Sequence, residues 1–175
     1  MPILDNLEAL VDLGSGRERP GLLALDVSKR AVGVAGADAS WRLATPLRTI
    51  RRRRLEQDLA ALSEVIRERG AAVLVIGWPL NMDGSEGPRC QSVRAFTDRL
   101  DAALSLPMLL WDERLTTFAA EEAADQTGLR GSKRAATLDA LAAATILQDT
   151  LDAVARLERR AHLGSLGSRV SLRRP

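Results

Sequence analysis

One cysteine, Cys90, and one histidine, His162, are all that the 175 residues contain of either type. A single cysteine excludes an intramolecular disulfide and suits a reducing compartment. A Cys/His zinc site is nearly excluded, because its ligands are not there. A Cys–His nucleophilic pair is improbable as well, since His162 falls in what reads as a loose tail. Tyrosine is absent, and there are only two phenylalanines and three tryptophans. That is thin material for the aromatic platforms of a sugar site, so a glycosidase receives low weight. Lysine is scarce too: Lys29 and Lys133 are the only two, and arginine carries the rest of the positive charge. Long apolar runs are missing. The longest, Ala71 to Leu80, is too short to span a bilayer. Asp5, Glu8 and Asp12 stand where a signal peptide would be basic and then apolar. The expectation is a cytoplasmic protein with no membrane partner.

What is present suffices for one domain with a real core. The formal net charge of +2 is compatible with nucleic acid without demanding it. Leu22 to Leu25 is apolar throughout and ends on Asp26. Ser28-Lys29-Arg30 supplies a polar turn, and Val32 to Ala35 starts a return strand. An acid there either caps the turn or faces a ligand at a sheet edge, and this segment alone leaves the two readings level. Trp41 to Leu47 reads as a third strand, irregular or at an edge because of Pro46. A helix from about Arg51 to Arg69, stopped by Gly70, carries Leu55, Leu59, Leu62 and Ile66 on one stripe. Ala72 to Ile76 is a doubly buried fourth strand, which implies a parallel crossover. The Gly- and Pro-rich loop from Gly77 to Pro88 leaves that strand at the end where open α/β sheets bind ligands. A helix from about Arg89 to Ala103 follows, then a fifth strand from Leu106 to Trp111. A further helix is expected to about Asp125, after Thr116 and Thr117, and a last helix from about Ala135 to Ala155.

Asp26 ends the first strand, and Asp112 and Glu113 end the fifth. Asp139 shares a helical stripe with Ala142, Ala143 and Ile146. A carboxylate on a buried stripe is costly unless paired, hydrogen-bonded or metal-bound. A structural partnership with an arginine such as Arg114 stays open. Converging carboxylates without histidine or cysteine make a hard-oxygen site, suited to Mg²⁺ or Mn²⁺ and to two-metal phosphodiester hydrolysis.

Four motifs carry a resemblance. They are Leu25-Asp26 with Gly33-Val34-Ala35; Ile76-Gly77-Trp78-Pro79-Leu80-Asn81-Met82-Asp83-Gly84-Ser85-Glu86-Gly87; Asp112-Glu113-Arg114-Leu115-Thr116-Thr117; and Asp139 with Ala142-Ala143 and Ile146-Leu147-Gln148. Together, over about Gly21 to Leu151, the chain resembles the YqgF/RuvX family. The resemblance implies an α/β, ribonuclease-H-like fold with a five-stranded mixed sheet flanked by helices. It implies a divalent-metal-dependent nuclease that processes the 5′ end of precursor 16S ribosomal RNA in ribosome biogenesis. An older label for the family, Holliday-junction resolvase, makes branched DNA the alternative substrate. By motif match Asp26, Glu113 (or Asp112) and Asp139 are the catalytic, metal-binding acids, and the cofactor is Mg²⁺ or Mn²⁺. The candidates for holding substrate are Lys29, Arg30, Asn81, Arg114, Arg51 and Arg52. A monomer or weak homodimer is expected.

Ser28 departs from the family pattern, which usually has glycine there for close approach to phosphate. Ala31 replaces a later basic residue. These departures keep a third reading open, an RNA-binding module of the same fold with weakened chemistry. The arginine run at 51–54 is either a phosphate-backbone contact or a solvated helix face. Trp78 and Trp111 fit core packing better than base stacking. The expected organisation is an extension over 1–20, a nuclease domain over 21–155 and a basic, disordered tail over 156–175.

Overall fold

A computed structural model of the chain describes residues 3–114, 128 and 130–171, without the side chains of 132 and 164–171. In chain order the elements are α1 (Leu7–Gly14), β1 (Gly21–Val27), β2 (Ala31–Ala37), β3 (Ala44–Arg51), α2 (Leu55–Arg69), β4 (Ala71–Trp78), α3 (Pro88–Leu104), β5 (Met108–Asp112) and α4 (Gly131–Ser171). The strands form one five-stranded sheet in the order β3-β2-β1-β4-β5. β2 pairs antiparallel with β1 and with β3, while β4 is parallel to β1 and β5 to β4. This is the expected mixed sheet. The ends of β1, β3, β4 and β5 therefore share one rim.

The sheet is covered on both faces, which is why β1 and β4 read as unbroken apolar runs. Leu23, Leu25, Val27, Leu74 and Ile76 face α2 and α3, with Leu62, Val65, Val93 and Phe96. Leu22, Ala24, Val73, Val75 and Leu109 face α4, with Ala143, Ile146, Leu147 and Leu151. Cys90 is buried, and its thiol donates to the Pro79 carbonyl, 3.2 Å away.

Several boundaries differ from the sequence reading, each for a local reason. The third strand begins at Ala44, not Trp41. Asp38 closes a loop by accepting from the amides of Arg42 and Leu43, both at 2.7 Å. Trp41 sits inside that loop at φ 56, buried, with its Nε1 donating to the Pro20 carbonyl. β3 is an edge strand, and its register shifts beside Pro46, as the proline implied. The second helix starts at Leu55, so Arg51 closes β3 and residues 52–54 are the link to α2. Gly70, at φ 56, ends α2 by donating to Arg67 and Ile66.

The extension is docked. Asn6 caps α1, Leu10 is fully buried, and the Leu4 amide donates to the Met108 carbonyl at 2.6 Å. The last helix does not stop at Ala155 but continues to Ser171, where disorder was expected. No proline or glycine interrupts it before Gly164. Val154 stays buried, and Glu158 pairs with Arg19 at 2.7 Å. The helix expected over 115–125, with Thr116 and Thr117, lies outside the described residues.

Candidate active site

Strand alternation brings two of the acids to one face of one rim. Leu25 and Val27 point to the α2/α3 side, so Asp26 between them points to the α4 side. Gly33 is its antiparallel partner. On β4, Ile76 and Trp78 face α2/α3, which leaves Gly77 on the α4 side. On β5, Leu109 and Trp111 belong to the α4 side, and Glu113 continues their alternation one step past the strand. The Glu113 amide donates to the Trp78 carbonyl at 3.3 Å and so holds that step in register.

Two glycines set how closely the layers approach. A Cβ on Gly33 would lie 1.9 Å from the carbonyl oxygen of Asp139, so only a bare backbone lets α4 rest there. A Cβ on Gly77 would meet Ile146 at 2.7 Å and the Glu113 carboxylate at 3.4 Å. Asp139 thus arrives beside Asp26 because Gly33 admits the helix. Glu113 lies over the neighbouring strand because Gly77 leaves it room.

The electrostatics fit this crowding. The Asp26 carboxyl is pushed up to about 6 by burial and then by the charge of Asp139, with Arg89 working against the rise. Glu113 is pushed up to about 7 by burial and by Asp26, again opposed by Arg89. Asp139 is raised by burial. Buried carboxylates that lift one another favour the approach of positive charge. An all-oxygen donor set of this kind suits a hard divalent cation. Among the described residues no three acids are already gathered into a finished cage. The donors stand on three separate elements, an open arrangement.

Asp112 belongs elsewhere. It faces the opposite side from Glu113, and Arg114 grips it through Nε at 2.8 Å and Nη2 at 2.5 Å. That pairing holds the Asp112 carboxyl below the usual range. Of the two acids that end the fifth strand, Glu113 is the one on the α4 face with Asp26.

The residues named for substrate divide in two. Lys29 and Arg30 are exposed on the β1–β2 turn, and Arg51 is exposed where β3 ends, all on the rim that carries the acids. Arg52 is committed inward: it lies 4.8 Å over the Phe96 ring, 3.6 Å from the buried Asp58, and donates to the Ser28 carbonyl. Asp58 in the first turn of α2 is favourably placed against the helix dipole. Asn81 closes its own loop. Its amide donates to the Ser85 carbonyl and its Nδ2 to the Ser85 hydroxyl, both at 2.9 Å. Arg114 is occupied by Asp112.

Ser28 is a turn residue. Its hydroxyl accepts from the amides of Arg30 and Ala31 and donates to the Ala31 carbonyl. This tightens the turn without a positive φ. Trp78 is buried and carries Arg94 on its face. Arg89 escaped the sequence reading. It is the second residue of α3, and its Nη2 lies 4.0 Å from Glu113 Oε1. The available signal was its place directly after the long loop that leaves β4.

Comparison with known proteins yields one family and a set of close relatives. Residues 21–153 match the family described as RuvX, Holliday junction resolvase. A protein of Rhodobacter capsulatus named "Putative pre-16S rRNA nuclease" is 48% identical over 149 residues, 85% of this chain and 94% of that one. A Roseobacter denitrificans protein of the same name is 44% identical over 156 residues, 88% and 94% of the two chains. The solved structure of T. thermophilus RuvC with a Holliday junction aligns at a TM-score of 0.47 and 13% identity. That alignment covers 73% of this chain and 92% of the other, a likeness too loose to carry an argument.

Proposed function

This chain belongs to the RuvX family, and we propose that it is a divalent-metal-dependent nuclease whose catalytic acids are Asp26, Glu113 and Asp139. The observation that carries the reading is the shared rim. Two strand ends and one helix deliver three carboxylates to one face; burial raises all three, and neighbouring acids raise Asp26 and Glu113 further. Asp26, Glu113 and Asp139 would hold Mg²⁺ or Mn²⁺, and such ions supply activation of water and charge neutralisation at a phosphodiester. The residues themselves do three things. Asp26 and Glu113 fix the polarity of the cleft, because their negative charge excludes a phosphate unless cations accompany it. Gly33 and Gly77 fix the spacing between α4 and the sheet. Lys29, Arg30 and Arg51 offer positive charge along the same rim for the flanking backbone, a contact that positions without reading sequence.

The substrate we favour is precursor 16S ribosomal RNA, on the strength of relatives at 44–48% identity that carry that name. Branched DNA is the second reading, from the family description. The deciding experiment incubates the protein with precursor 16S RNA and with a four-way DNA junction, in Mg²⁺ or Mn²⁺, beside Asp26→Asn. RNA cleavage near the mature 5′ end that Asp26→Asn abolishes is the expected result. Junction cleavage alone would move the assignment to DNA. No cleavage of either would leave the weakened RNA-binding module that Ser28 first suggested.

A further inference from the structure

We infer that Arg89 is a substrate-binding residue of this site: its guanidinium lies beside Glu113, and with nucleic acid bound it turns to a phosphate of the cleaved strand. This rests on the nuclease reading above. The inference comes from how the arginines near the rim are held. Arg114 forms a close fork with Asp112. Arg94 pairs with Glu86 at 3.2 Å and lies 4.9 Å over Trp78. Arg52 is packed on Phe96 and Asp58. Arg89 differs from all three. Its contact with Glu113 is 4.0 Å, long for a charge-assisted hydrogen bond, and its side chain is 68% exposed. An ion pair of that kind contributes little and is released at little cost.

Its position is nonetheless specific. Its Nη2 lies 4.0 Å from Glu113 Oε1, and Glu113 shares the α4 face of the rim with Asp26. Arg89 starts α3 directly after the loop that leaves β4, with Pro88 at the first helical position. The base of the side chain is therefore rigid while its end is free to turn. A planar guanidinium matches phosphate oxygens, which an ammonium does less well. A cation beside a carboxylate becomes surplus once a dication joins that carboxylate. A phosphate arriving with that dication is the natural new partner.

The prediction is a crossed signature. Arg89→Ala removes a positive charge that competes with the metal, so Mn²⁺ alone, titrated calorimetrically without nucleic acid, should bind about three- to tenfold tighter. The same variant should bind a fluorescein-labelled single-stranded RNA of about 20 nucleotides, in Ca²⁺, about tenfold more weakly, with a salt slope lower by about 0.7. Arg89→Lys should restore the Mn²⁺ affinity and only part of the RNA affinity. The inference is overturned if Arg89→Ala weakens Mn²⁺ and RNA together, as a structural role would, or changes neither. The Mn²⁺ titration needs no cleavage. Failure of the nuclease reading appears separately, as a wild-type protein that cuts neither RNA nor DNA.

Discussion

Replacing Gly33 by alanine tests the link between the fold and the site at its tightest point. Gly33 does not have a positive φ, so its backbone admits alanine and the effect is steric. The added Cβ would lie 1.9 Å from the Asp139 carbonyl oxygen, whereas ordinary contact begins near 3.4 Å. The helix must therefore recede by about 1.5 Å, and it is backbone that meets the methyl, with no side-chain rotamer to give way. Overpacking of this kind costs about 3 kcal/mol, the upper part of its usual range. A displacement of that size at a catalytic group costs about 100-fold in rate. Gly36→Ala, on the same strand, is the control. The nearest atoms to its Cβ would be side-chain atoms, of Leu47 at 3.1 Å and Leu23 at 3.3 Å. Urea denaturation and an RNA cleavage assay on both variants should separate them, with Gly36→Ala within about 1 kcal/mol of wild type and fully active. If Gly33→Ala matches Gly36→Ala in both assays, α4 does not depend on that glycine to deliver Asp139.

The other perturbations read charge. Asp26 has its carboxyl raised from 3.8 to about 6, so its favourable share of stability is present below pH 4 and is lost as pH rises through about 6. Asp26→Asn should therefore stabilise the protein in EDTA at pH 8 by up to about 3 kcal/mol and make little difference near pH 4, as measured by chemical denaturation. Destabilisation at pH 8 would contradict this. Lys29→Ala and Arg30→Ala should each lower the salt slope of RNA binding by about 0.7 with stability nearly unchanged. Arg52→Ala should instead cost about 1–3 kcal/mol in denaturation, because it removes the guanidinium beside the buried Asp58 and over Phe96.

Much of this was legible in the residues, because apolar periodicity encodes burial. Doubly buried strands at 22–25 and 72–76, a helix between them and a proline at 46 led to the mixed sheet with β3 at its edge. The alanine stripe around Asp139 placed that acid on the sheet, and Gly33 receives it. What was not legible depended on direction. Asp112 and Glu113 are neighbours in sequence, and only the alternation of β5 against a known face separates them. Trp41 reads as a strand residue until Asp38 is seen to fold the chain back over it. Arg52 and Arg51 look alike in a run of arginines, yet one ends a strand at the rim and the other lies across a phenylalanine. Arg89 carries no pattern of its own, because an arginine in the first turn of a helix runs against the dipole. Its meaning comes from Glu113, which is 24 positions away in the chain and 4.0 Å away in space.

The central claim is that Asp26, Glu113 and Asp139 act as one unit, and Asp139 tests it best, since it alone comes from a helix. The measurement is the cleavage rate of precursor 16S RNA in Mn²⁺ by Asp26→Asn, Asp139→Asn and the double variant. Groups that act as a unit are strongly non-additive, so each single variant should lose at least about 100-fold and the double little more. A protein with Asp139→Asn that cleaves at the wild-type rate while unfolding more easily would make Asp139 a structural partner and dissolve the three-acid site.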